Sequence, residues 1–168
     1  MTYTIYRNIY YSTFTIYQWK KLLKNEKYIE LVLDCLVFLY KNNRCLIFAF
    51  VIMPDHIHLI YEVLEPNSNE NFKHNFLSYT AHQFSKKMSS EMKEEFLVNK
   101  SKRKYQFWKS PSLSVEIVSP KFLIQKFNYL HDNPRRAGLV EDNLNYKYCS
   151  YSSYELGAPQ FDFLTLFL

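Results

Sequence analysis

"RCLIFAFVIMPDHIHLIYEV", Arg44 to Val63, is the stretch that decides the fold. Arg44–Met53 is a short apolar run of the kind a buried strand carries. Pro54-Asp55 is a turn signal. His56–Val63 then alternates, so the two runs predict a β-hairpin whose second strand bears His56 and His58. On a strand, residues i and i+2 point to the same face. The two imidazoles therefore stand side by side.

The flanks extend this hairpin into a pattern. Asn8–Tyr17 is β-rich and aromatic and reads as a first strand. Asn25–Asn43 has helical spacing at Ile29, Val32, Leu33, Leu36 and Val37, with Asn25 as cap and Asn42-Asn43 as stop. After the hairpin, Asn67–Met92 reads as a second helix carrying Phe72, Phe76, Tyr79 and Phe84. The charged run Asn99–Ser110 reads as loop and strand entry, and Leu113–Val118 as a fourth strand. Ser119 and Pro120 open a last helix that closes before Pro134. The order is β-α-β-β-α-β followed by a helix. It predicts an α+β, ferredoxin-like antiparallel sheet with helices on one face and a C-terminal tyrosine-bearing helix. The first and third strands should be central, and the third carries the histidines. The chain is expected to form a single domain over 1–168.

Composition narrows the class. The 168 residues are 48% hydrophobic and 22% charged, which is globular rather than disordered. No apolar run has membrane-spanning length, and Met1–Tyr10 shows no secretory signal. Cys35, Cys45 and Cys149 follow neither disulfide nor zinc spacing, so a cytoplasmic location is expected. Gly138 and Gly157 are the only glycines, which excludes a Gly-rich phosphate loop. A net charge of +5 and an aromatic share of 18% suit a polyanionic partner with bases to stack on.

Neutral imidazole is the commonest protein metal ligand, and two on a rigid strand make a chelating pair. A solvent-facing strand could equally carry two idle histidines. A second cluster lies in "KFNYLHDNP". Tyr129 and Asn133 are spaced i, i+4 near the end of the last helix and so share one of its faces. Packed over the histidine strand, they would join a phenol and an amide oxygen to two nitrogens. That donor set suits Mg²⁺ or Mn²⁺, with Zn²⁺ open on donor type alone.

"VIMPDHIHLI" resembles the His–hydrophobic–His motif of the HUH single-strand endonucleases. "QKFNYLHDNPRRAGLVEDNLNYKYCSYSSY" resembles the signature of the REP-associated tyrosine transposases within that superfamily, as do "NFKHNFLSYTAHQF" and "FWKSPSLSVEIVSPKFLIQK". The resemblance runs from about Asn8 to Tyr154. It implies that His56 and His58 hold the metal, that Tyr129 is the nucleophile and that Asn133 is a third ligand. His131 falls on a histidine of the same motif, with no role implied. Asp55 stands where asparagine is usual, Asp132 replaces another, and Arg135 stands where valine is usual. Both aspartates would add negative charge near a phosphate site, offset by Arg135 and Arg136.

The implied reaction is cleavage and rejoining of hairpin-bearing single-stranded DNA through a 5′-phosphotyrosine, in transposition or in processing of repeat elements. A free phenol, with pKa about 10, is a weak nucleophile at neutral pH, and the ion would act as Lewis acid. Lys100, Lys102, Arg103, Lys104, Arg135 and Arg136 are the candidate DNA contacts, with Tyr105 and Trp108 as stacking or core residues. The enzyme would be a monomer or a homodimer. Three rivals remain: a non-catalytic sheet that binds nucleic acid, a domesticated protein recognising repeat hairpins, and a metal-dependent hydrolase with Asp55 as base.

Overall fold

The computed structural model describes residues 8–100 and 102–167. Residues 1–7, with much of the stretch read for a signal, lie outside the described residues, as does Ser101 within the basic run.

The Arg44–Val63 hairpin forms as β2 (Cys45–Ile52) and β3 (His56–Val63), with Val51 opposite His58. β1 (Ile9–Thr15) pairs with the other edge of β3, setting Thr13 opposite His58 and Thr15 opposite His56. β6 (Leu113–Glu116) pairs with β1. The sheet order is β2-β3-β1-β6 with every neighbour antiparallel. The first and third strands are central, as the pattern predicts.

α1 (Glu26–Lys41) starts where the Asn25 side chain accepts from the Lys27 N–H. Its Ile29, Val32, Leu36 and Leu39 recur at three- and four-residue intervals and are buried. α2 (Asn69–Lys87) adds Phe72, Phe76 and Phe84 to the same core, against Phe14, Leu59 and Tyr61 of the sheet. The helix expected to run to Met92 stops sooner. Met88 turns extended, with φ −78° and ψ 147°, and Ser89 caps a separate α3 (Ser90–Glu94). The charged run is a hairpin rather than a loop, formed by β4 (Leu97–Lys100) and β5 (Arg103–Tyr105).

α4 (Pro120–His131) opens as expected, with the Ser119 hydroxyl accepting from the Phe122 N–H. It lies on the opposite sheet face, where Leu123 and Leu130 pack with Tyr11, Val51 and Ile60. Helices therefore cover both faces, and the one-face expectation holds only for α1 and α2. The last helix is also broken. Asp132 closes α4, and α5 (Asn133–Arg136) follows as a separate turn, because Pro134 has no N–H to continue the ladder.

The chain then returns along the outer edge of β2. Ile52 N–H donates to Tyr148 O at 2.9 Å, Ser150 N–H to Phe50 O at 3.0 Å, and Thr165 N–H to Ile47 O at 2.8 Å. This strap, which includes α6 (Tyr151–Leu156), covers an edge that would otherwise offer unpaired backbone groups. The three cysteines are buried and unpaired. No described helix is long and apolar enough to cross a membrane.

Candidate active site

His56 and His58 share the sheet face that α4 covers. Their ring centroids are 4.7 Å apart. Tyr129, near the end of α4, brings its ring to 5.7 Å from His58, edge to face. His58 is buried, while Tyr129 is 43% exposed. A substrate can therefore reach the phenol from solvent with the imidazoles beneath it. The phenol and the imidazole pair belong to the same chain.

Each ring is fixed through Nδ1. His56 Nδ1 donates to Asp55 Oδ1 at 2.6 Å. Asp55 also takes Lys21 Nζ. Burial would raise the Asp55 carboxyl, but the hydrogen bonds from Lys21 and His56 outweigh it and hold it below its ordinary range. Asp55 is thus a neutralised orienting partner of His56, not loose negative charge at the site. His58 Nδ1 lies 2.8 Å from both Tyr11 Oη and Thr13 Oγ1. Burial, then the neighbouring His56, Arg136 and Lys126, lowers the His58 pKa to about 3. Its ring is neutral at ordinary pH, and in the tautomer with the proton on Nδ1 the free lone pair is on Nε2. Burial pushes the Tyr11 phenol up to about 12, so it remains a hydroxyl.

Two cations flank Tyr129. The Arg136 guanidinium carbon is 4.1 Å from the Tyr129 ring centroid. Lys126 Nζ is 5.9 Å from that centroid and 4.9 Å from the Tyr11 ring. Arg135 turns away and holds Asp132 through Nε at 2.9 Å and a second nitrogen at 2.8 Å. That hydrogen bonding leads the lowering of the Asp132 carboxyl. The expected offset of the Asp132 charge therefore occurs within the pair Asp132–Arg135.

Among the described residues no three His, Cys, Asp or Glu side chains converge. The donors available are the two imidazoles and an amide. In both rings Nδ1 is engaged, and no described hydrogen bond uses Nε2. Anchoring one ring nitrogen is how proteins aim the other at a metal. Asn133 sits at the start of α5 rather than one turn along an unbroken helix. It is buried with Nδ2 unpartnered, and no described contact joins it to either imidazole. The orphaned atom is a donor, which an acceptor such as a phosphate oxygen would satisfy and a cation would not; only Asn133 Oδ1 could ligate a metal.

His131 is not in the cluster. Its Nε2 donates to Ser150 Oγ at 2.7 Å, which ties α4 to the β2 strap, and burial lowers its pKa to about 3. Lys100, Arg103 and Lys104 are exposed on the β4–β5 hairpin, and Lys102 is exposed at its turn. Trp108 is core, its indole N–H donating to Thr80 Oγ1 at 2.9 Å. Sequence reasoning missed Tyr11, Thr13 and Lys126. Lys126 was findable, because it lies three residues before Tyr129 and so on its face.

This chain belongs to the family described as "Transposase IS200 like", whose pattern matches residues 4–131 and so spans both histidines and Tyr129. A candidate REP-associated tyrosine transposase of Haemophilus influenzae (strain Rd) is 28% identical over 106 residues. That match covers 61% of this chain and 57% of the relative, little more than half its length. Among solved structures, a REP-associated tyrosine transposase bound to a REP hairpin superposes with a TM-score of 0.70 at 14% identity. It covers 98% of this chain and 90% of that one. A candidate transposase from Deinococcus radiodurans R1 gives 0.51 at 16% identity, covering 79% of this chain and 95% of that one. These likenesses establish the α+β fold.

Proposed function

We propose that this chain cleaves and rejoins hairpin-bearing single-stranded DNA by transesterification, with Tyr129 as nucleophile. The observation that carries the reading is the Tyr129 phenol, exposed to solvent, standing against the anchored His56–His58 pair on one sheet face. Membership of a transposase family supplies the substrate class. The hairpin follows from the similarly folded transposase seen bound to one, and from the exposed basic tip of the β4–β5 hairpin.

Tyr129 Oη attacks the scissile phosphorus, and the bond from phosphorus to the 3′ oxygen breaks. The product is a 5′-phosphotyrosine and a free 3′-hydroxyl. The proton lost by the phenol is balanced by the one gained at the departing oxygen. A second 3′-hydroxyl reverses the step and joins strands, so no bond energy is lost to water. Arg136 and Lys126 supply positive charge beside the phosphate, where preorganised charge is most effective. His56 and His58 through Nε2, with Asn133, would hold Mg²⁺ or Mn²⁺, which when bound supplies Lewis acidity toward the phosphate oxygens. Asp55 and the Tyr11–Thr13 hydroxyls keep both imidazoles turned toward that position.

The rivals fit less well. A hydrolase would need Asp55 as a free base, but that carboxylate is engaged by His56 and Lys21. A sheet that binds bases on its open face would need that face bare, and α4 covers it. The test is a denaturing gel of protein incubated with hairpin-bearing single strands and Mg²⁺. The parent protein should form a covalent adduct. Tyr129→Phe should form none while still binding the DNA. Adduct surviving in that variant would move the nucleophile to another residue.

A further inference from the structure

The chain has two tryptophans, and their settings are opposite. Trp108 is in the core. Trp19 is 57% exposed, and no described hydrogen bond uses its indole N–H. It sits in the short 3-10 turn Tyr17–Trp19, none of whose residues is buried. Gln18 and Trp19 both take left-handed backbone, φ 55° and 53°, a strained conformation for residues with a Cβ. A large apolar ring is thus held out into solvent on strained backbone.

Its surroundings are basic and close to the site. Lys109 Nζ lies 4.3 Å from the Trp19 ring centroid. Lys109 N–H donates to Thr15 O at 2.7 Å, and Thr15 is the register partner of His56. The Lys109 and His56 backbones are therefore two strand spacings apart, roughly 10 Å. Ile16 N–H donates to Asp55 O at 2.8 Å, fixing the start of the Trp19 turn to the residue that orients His56. Lys109 also lines a groove of about 590 Å³ beside α2, together with Lys73, His74, Arg103 and one opposing carboxylate, Glu70. Nearby Lys20 is partly occupied by Glu95 at 3.7 Å, and Lys21 by Asp55.

We propose that Trp19 and Lys109 form a stacking platform for a base of single-stranded DNA flanking the cleavage site, with the groove of Lys73 and Arg103 carrying the adjoining phosphates. The platform rests on the single-strand chemistry assigned to Tyr129. An indole face under a lysine suits a base and its phosphate together, since stacking tolerates any base and the cation meets the backbone. An apolar protein surface would instead have to desolvate that lysine.

The test uses the Tyr129→Phe variant, so that binding proceeds without cleavage. It is titrated with a hairpin oligonucleotide bearing single-stranded flanks, and with the same hairpin lacking them. Tryptophan emission and the anisotropy of labelled DNA are read together. The flanked strand should quench the emission of the exposed Trp19, and the bare hairpin should not. Trp19→Ala should weaken the flanked strand about tenfold and leave the bare hairpin unchanged, while Trp19→Phe keeps most of the affinity. Binding by anisotropy with unchanged emission would overturn the platform and leave the cleavage reading standing. Absence of any DNA binding would overturn both. The emission titration needs no change at Trp19, so it decides the matter even if Trp19→Ala fails to fold.

Discussion

Ser150→Ala tests the join between the tyrosine helix and the sheet. The Ser150 hydroxyl is fully buried. It accepts the Phe50 N–H at 2.9 Å, donates to Phe50 O at 3.2 Å and receives His131 Nε2–H at 2.7 Å. Alanine leaves two buried donors with no acceptor, Phe50 N–H and His131 Nε2–H. The Phe50 carbonyl keeps the Ser150 N–H. His131 Nδ1 already lacks a partner, so the ring would retain no hydrogen bond. At about 1–3 kcal/mol per orphaned donor the variant should lose about 2–6 kcal/mol. That is a large part of a domain's usual margin of about 5–15 kcal/mol. Urea unfolding should show a lower midpoint with the slope unchanged. Adduct formation by the folded protein should also slow, because His131 is two residues from Tyr129. A destabilisation below about 1 kcal/mol would refute the claim that this hydroxyl holds the helix to the edge strand.

Asp55→Ala removes the acceptor that orients His56, and should raise the Mg²⁺ concentration needed for half-maximal adduct about 10–100-fold; an unchanged requirement would remove Asp55 from the site. Stability should fall in acid. His58 and His131 titrate near 3 when folded and near the ordinary 6.5 when unfolded, so the unfolded chain binds more protons between those values. Stability is complete above pH about 6.5 and declines toward pH 3, by up to about 1.4 kcal/mol per pH unit for each residue; urea midpoints that stay flat over that window would contradict the burial argument. Replacing Lys102, Arg103 and Lys104 together with alanine should leave thermal stability unchanged. It should also flatten the dependence of log affinity on log salt by about 0.9 for each phosphate these side chains neutralise. An unaltered slope would place the hairpin interface elsewhere.

The parts of the fold that were legible in sequence are those with strong local signals. Alternation plus Pro54-Asp55 marks the His56 strand, and Asn25, Ser119 and Pro120 mark helix starts whose caps are seen. The β4–β5 hairpin was not legible, because an exposed charged hairpin has no apolar alternation to display. The strap along β2 was not legible either, since its Tyr- and Ser-rich sequence has no period and its partners lie about a hundred residues earlier, as in Ser150 with Phe50. At the candidate site, the His56–His58 doublet stands out in sequence, whereas Tyr129, one of 15 tyrosines, is singled out by the family resemblance alone. Thr13 and Tyr11 could not be named, because strand register places them beside His58 and a single sequence does not state register. The i, i+4 face expected for Tyr129 and Asn133 failed at Asp132, where the helix ends before Pro134.

By pinning the segment after α5 to the outside of β2, the strap shortens the leash on the C-terminal end of α4, which carries Tyr129. Exchange of α4 between two copies would first have to peel that leash away. Under the proposed chemistry the phenol and the imidazole pair then lie in one polypeptide, and adduct formed per molecule should hold steady as the protein is diluted.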